Sequence, residues 1–264
     1  IERINPFAAD PRNRAGRVLP AELSTRWPNR GMEGLTITPD GKTLVGIMQS
    51  NLYNPTKEVG SINLTRIVTV NIESGAVAQY LYKQDAAGLA NSEIVALSAT
   101  SFLVIERDTK FYGIDTGTIR KNVYKIDLSN ATNVDRSNAS LRTGKAELTV
   151  SAANGLLVNG KTLELVIKDA GTANNFAAGW SQLAALGIQP VTKTLAYDGI
   201  AAQKYPHDKM EGLWVIDANR LGIINDADFM IAPDGVGGVK QKYLYDGKVE
   251  SNMLYVVKPI APLF

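Results

Sequence analysis

Apolar residues in this chain come in short runs broken by turn residues, not at helical intervals, so strands are the expected element. Thr36-Ile37-Thr38 and Lys42–Met48 flank Pro39-Asp40-Gly41, a turn in which Pro presets φ and Gly takes the positive φ. Arg66–Ile72 and Ala76–Tyr82 flank Glu73-Ser74-Gly75 as a second hairpin. Ile94–Leu97 and Phe102–Glu106 pair next, with Asn122–Leu128 as a third strand. Leu213–Ile216 and Leu221–Ile224 pair around Asp217-Ala218-Asn219, and Met253–Val257 closes the chain. The spacing predicts an all-β fold, a β-propeller of four-stranded antiparallel blades forming a single domain over residues 1–264. Residues 5–31 and 170–188 escape the pattern as loop or short-helix insertions, with short helices expected at Ala21–Thr25 and in the Ala-rich second stretch.

A second pattern overlies the first. An acidic residue stands before a strand three times, and the following strand ends on a carboxylate or amide: Glu33 with Gln49, Glu93 with Glu106, and Glu211 with Asp226. A hairpin brings the head of its first strand beside the tail of its second, so each pair is expected to meet. In a propeller these positions project toward one mouth of the channel, and a sandwich gives no reason for such a repeat. Clustered carboxylates repel one another unless a cation neutralises them. A hard divalent ion is the natural solution, and Ca²⁺ tolerates irregular oxygen geometry better than Mg²⁺ does. The plain alternative is a scatter of surface carboxylates near turns.

Composition narrows the function classes. The hydrophobic fraction of 45% and charged fraction of 20% are those of a globular protein. A net charge of +2, without a Lys/Arg block, gives nucleic-acid binding no electrostatic support. With no cysteine there is no disulfide, thiolate site or cysteine nucleophile. No apolar stretch approaches the length of a membrane span. The chain opens Ile1-Glu2-Arg3-Ile4 with neither Met nor signal peptide, and the few blades visible are fewer than a closed ring needs. A removed leader or a missing upstream segment is therefore expected.

Individual residues sharpen the picture. In Glu106-Arg107-Asp108, strand alternation puts the two acids on one face and Arg107 on the other, where it braces a neighbouring blade or reaches an anion. Asn225-Asp226-Ala227-Asp228-Phe229 ends a strand with calcium-type oxygens but lacks the glycine and distal glutamate of an EF-hand. His207, the only histidine, stands four residues before Glu211 and is a candidate general acid or base; a solvated loop position is its plainer reading. There is no Gly-x-Ser-x-Gly elbow, and zinc lacks its usual ligands.

These motifs resemble the phytase-like propeller family described by an "esterase-like activity of phytase". The resemblance rests on Arg30-Gly31-Met32-Glu33-Gly34-Leu35 through Leu44, Ser92–Leu97, Leu103–Asp108, Lys209-Met210-Glu211-Gly212-Leu213 and Asn225–Phe229. It runs from about Ile4 to Val257. It implies a bacterial, exported β-propeller whose acidic motif positions are Glu33, Glu93, Glu106, Asp108, Glu211, Asp226 and Asp228, the expected metal ligands. It also implies a further upstream segment, and Ala227 departs from the commoner polar residue at its position.

The expected function is a calcium-dependent ester or phosphoester hydrolase of the periplasm or cell exterior, acting on a small phosphate or carboxylate ester. Glu93, Glu106, Arg107 and His207 are its candidate catalytic residues. The chain has no basic cluster for a polyanion such as phytate. The rivals are a non-catalytic binding propeller braced by calcium and a metal-dependent lactonase.

Overall fold

The computed structural model describes residues 19–264 apart from position 173, so the start of the 5–31 stretch lies outside the described residues. In chain order the strands begin with β1 (Met32–Ile37), β2 (Thr43–Met48), β3 (Leu64–Asn71) and β4 (Val77–Lys83). There follow β5 (Ile94–Ala96), β6 (Ser101–Arg107), β7 (Lys121–Asp127), β8 (Leu148–Ser151), β9 (Gly155–Val158) and β10 (Lys161–Thr162). Helices α1 (Leu163–Ala170) and α2 (Ala177–Ala185) precede β11 (Thr192–Asp198), and α3 (Gly199–Gln203) follows it. The chain ends with β12 (Met210–Asp217), β13 (Arg220–Asn225), β14 (Ile231–Pro233), β15 (Val239–Gln241) and β16 (Leu254–Val257).

These elements form two compact units. The first takes residues up to Leu89 together with Asp127–Thr192, and the second takes Ala90–Ile126 with Lys193–Phe264. The first unit is led by the antiparallel meander β1-β2-β3-β4. The Pro39-Asp40-Gly41 turn forms between β1 and β2: Gly41 has φ +71°, the Thr38 hydroxyl donates to Asp40 Oδ1 at 2.7 Å, and Lys42 N donates to the same oxygen at 3.1 Å. Strand β3 is buried through Leu64–Val68 on both faces, whereas edge strand β1 leaves Leu35 and Ile37 exposed. A small sheet, β10-β9-β8, and the two helices complete the unit. Thr162 caps α1 by accepting from Leu165 N, and Leu163, Val166 and Ile167 give it a buried stripe. Helix α2 approaches α1 through Gly179, where a Cβ would lie 2.6 Å from Ile167 Cα. The 3₁₀ helix at Ala21–Thr25 is also in place.

The second unit joins two larger sheets, β11-β7-β6-β5 and β12-β13-β16, with the ribbon β14-β15. Its core packs Leu103, Ile105, Val123, Tyr205, Leu213 and Ile223 together. At ~1.5–3 kcal/mol for each fully buried side chain, this cluster is a main source of the unit's stability. The chain is all-β with few helices and two four-stranded sheets. The fourth strand of the second such sheet is β11, supplied only after residues 127–192 have returned to the first unit.

Candidate active site in the second unit

The two Met-Glu-Gly-Leu copies fold alike. In β1, Met32 faces Met48 and Gly34 faces Ile47; in β12, Met210 faces Asn225 and Gly212 faces Ile224. Glu33 and Glu211 are thus each the extra residue of a β-bulge, a device that re-aims a side chain out of the strand's alternation. Gly212 is required by packing, since a Cβ there would sit 2.6 Å from Ile224 Cγ2. The third copy has no bulge glycine, but its head also lies beside its partner's tail: Glu93 O accepts from Ile105 N at 3.1 Å. Glu33 lies exposed in the first unit; Glu93, Glu106, Arg107, Asp108, His207, Glu211, Asp226 and Asp228 all belong to the second.

Within the second unit, β6 and β12 bring Arg107 and Glu211 into an ion pair. Arg107 is buried, and its Nε donates to Ser92 Oγ at 3.0 Å. It therefore bridges two sheets through a carboxylate. Glu93 is half-buried beside this pair, with Oε1 accepting from Ile94 N at 2.9 Å. Burial raises the Glu93 carboxyl above the usual range; the Ile94 hydrogen bond opposes this and the Glu211 charge adds to it. A carboxyl so poised exchanges protons nearer neutrality than a free one.

The remaining acids have protein cations as partners. Glu106 is fully buried and accepts from Lys193 Nζ at 3.0 Å. Asp108 pairs with buried Lys121, whose charge burial disfavours and Asp108 supports. Asp228 pairs with Lys209 and, at 2.7 Å, with Lys242; Asp226 lies 3.5 Å from Lys209. Lys242 Nζ also lies 3.1 Å from Asp208 and 3.4 Å from Glu250. Burial works against this ammonium, but its hydrogen bonds to Asp228 and Asp208 and the nearby negative charges outweigh it, leaving the pKa raised. The ammonium is the cation that Asp208, Asp228 and Glu250 share. Among the described residues no group of three His, Cys, Asp or Glu side chains is placed to hold a metal ion. As arranged, the acids of the second unit do not fit a bound Ca²⁺.

His207 is not a solvated loop residue. It is fully buried, packed edge-on against Tyr205 at 5.2 Å and Tyr255 at 5.7 Å between ring centroids. Its Nδ1 lies 3.2 Å from Glu250 Oε1 and its Nε2 lies 2.8 Å from Tyr255 Oη. Asn225 also approaches Nδ1, at 3.1 Å, while its amide is fixed by accepting from Met253 N and donating to Ser251 O. Tyr205 packs on Tyr255 at 5.3 Å, and burial raises its hydroxyl pKa, with the Tyr255, Glu211 and Glu250 groups adding to the rise. Tyr205 thus packs on the His207 group and is within reach of the Glu211 charge.

Glu250, Tyr255, Lys121 and Lys242 give no motif signal. Tyr255 was within reach: alternation along Met253–Val257 exposes Leu254 and Val256, which turns Tyr255 and Val257 inward.

A family model described as phytase-like, esterase-like activity of phytase, matches residues 2–229. Comparison with curated proteins and with solved structures found no match. The match covers the bulged glutamates, Arg107, His207 and the Asp226–Asp228 turn, and the chain belongs to the phytase-like family.

Proposed function

We propose that this protein is a hydrolase of small carboxylate or phosphate esters, working in the second unit where β6 and β12 bring Arg107 and Glu211 together beside Glu93. The family's description supports hydrolytic chemistry. The observation that carries the reading is Glu93: a half-buried carboxyl with a raised pKa, next to a glutamate clamped by a buried arginine. Pairs of carboxyls set in unlike environments are a common arrangement for proton transfer. Glu93 handles the proton of the attacking water. Arg107 holds Glu211 and Ser92 in place, so the negative charge beside Glu93 is fixed in position.

The four-stranded antiparallel sheets suit propeller blades, and a propeller built from them is part of the proposal, as is export to the periplasm or cell exterior. The proposed chemistry needs no calcium, because Glu106, Asp108, Glu211, Asp226 and Asp228 each already lie beside a lysine or arginine. Two measurements test the reading. Purified protein is assayed against p-nitrophenyl acetate, p-nitrophenyl phosphate and a panel of lactones, with and without EDTA. Turnover of an ester that survives EDTA and falls ~10²-fold or more in Glu93→Gln is expected. Activity lost to EDTA and restored by Ca²⁺ would sink the metal-free reading. Turnover of lactones alone would favour the lactonase.

A further inference from the structure

The buried histidine has the partners of a catalytic relay, with a phenol where an alcohol usually stands. Glu250 is fully buried and lies 3.4 Å from the Lys242 ammonium, with which it forms an ion pair. A carboxylate 3.2 Å from Nδ1 favours the proton on that nitrogen, and the Asn225 amide nitrogen 3.1 Å away, itself a donor, gives a hydrogen to Ser251 O. Nε2 is then an acceptor, and the group 2.8 Å from it is the Tyr255 hydroxyl. Acid, imidazole and hydroxyl thus stand in the order that lets a histidine take the proton of a nucleophile. Tyr255 itself is only half-buried, and its Oη also lies 3.6 Å from Sδ of Met253, an exposed side chain. The relay therefore runs from a sealed interior to a side chain that a ligand can reach.

We propose that Tyr255 is the nucleophile of the second unit, with His207 as its base and Glu250 as the anchor that orients the base. This deepens the hydrolase reading and rests on it for the substrate. In the step, Tyr255 Oη bonds to the acyl or phosphoryl centre and the bond to the leaving oxygen breaks with its electron pair. The phenolic proton passes to His207 Nε2 and from there to the leaving oxygen. Water then cleaves the aryl ester, and Tyr255 regains its proton. Burial raises the Tyr255 hydroxyl pKa, so it rests as a phenol and needs the adjacent base.

The test separates an activated Tyr255 from the hydrolase reading. The intact protein is treated with benzenesulfonyl fluoride, which tyrosine attacks at sulfur with loss of fluoride, and labelling is followed by peptide mass spectrometry. Tyr243 and Tyr245, both 53% exposed, are internal references in the same unit. Tyr255 is expected to label roughly 100-fold faster than either, and Glu250→Gln and His207→Gln to erase that advantage. If the variants do not fold, the ratio in the wild-type protein decides alone. Labelling of Tyr255 no faster than Tyr243 and Tyr245 overturns the proposal. Where the wild-type protein hydrolyses p-nitrophenyl acetate, Tyr255→Phe is expected to lose that activity, and retained turnover overturns the nucleophile role. Fast Tyr255 labelling with no ester turnover supports the relay and overturns the hydrolase reading.

Discussion

A carboxyl whose proton is stabilised by burial weakens the fold it serves, and Glu93 shows how to measure this. Its folded pKa is raised, so below about pH 4 both folded and unfolded forms are neutral and nothing is lost. As pH climbs through the raised value the folded state pays for an ionised Glu93, and the cost is complete above it. Glu93→Gln is therefore expected to raise Tm at pH 7 by a few degrees at most, the side chain being only half-buried, with the gain vanishing near pH 4. Differential scanning calorimetry at the two pH values reads this, alongside the loss of activity. A Tm that falls at pH 7 would show that the Ile94 hydrogen bond outweighs burial. Arg107 fails differently. Arg107→Ala leaves Glu211 and Ser92 without their buried partner, so stability is expected to fall by about 1–3 kcal/mol in urea unfolding. Lysine there cannot reproduce the two-sided grip of the guanidinium.

Among the elements, the bulged hairpin heads connect sequence to site. Glu211 can face Arg107 because Met210 and Gly212 bracket a register shift, and Gly212 leaves room for Ile224. Gly212→Ala puts a methyl 2.6 Å from Ile224 Cγ2 and is expected to cost about 1–2 kcal/mol by overpacking. Ile224 is 41% exposed, so adding Ile224→Ala is expected to recover most of the loss. Additive losses in the double mutant would show that the glycine serves the backbone and not this contact. The turns that made β1–β4 legible were local: Pro39-Asp40-Gly41 and Glu73-Ser74-Gly75 specify hairpins over a few residues. β11 was not legible, because its place beside β7 depends on a long-range return of the chain that no local signal encodes. Helix α1 was missed for a similar reason. Leu163–Ala170 is short and β-branched enough to read as a strand, and its cap, Thr162, ends the small sheet it follows. The acids at strand heads were legible because they repeat. The lysines opposite the acids at strand ends, Lys193 with Glu106, Lys121 with Asp108 and Lys242 with Asp228, were not, since a lysine opposite a carboxylate leaves no spacing rule.

At the scale of the folded units, the same rule governs a polar core that no motif announced. In the first unit Arg66 is fully buried, with Nη2 2.7 Å and Nε 2.8 Å from Glu164 Oε1, Nη1 3.1 Å from Gln79 Oε1 and 3.7 Å from Glu22. Gln79 in turn donates to Glu22 and Asp135. One guanidinium thus ties together the 3₁₀ helix at Ala21–Thr25, strands β3 and β4, and helix α1. Burial opposes the Arg66 charge, yet the Glu164 and Glu22 charges outweigh it and raise the pKa. Removing the arginine alone strands two fully buried glutamates, the costly way to break a buried pair. Arg66→Ala is expected to lose about 3–5 kcal/mol in urea unfolding, among the largest single-site losses in the protein. Replacing both partners, Arg66→Met with Glu164→Leu, removes one charge of each sign and fills the space with apolar atoms. It is expected to be clearly less damaging than Arg66→Ala, even though Glu22 keeps its charge. A double variant as unstable as the single one would mean that Glu22 and Asp135, not Glu164, are the carboxylates that need the arginine.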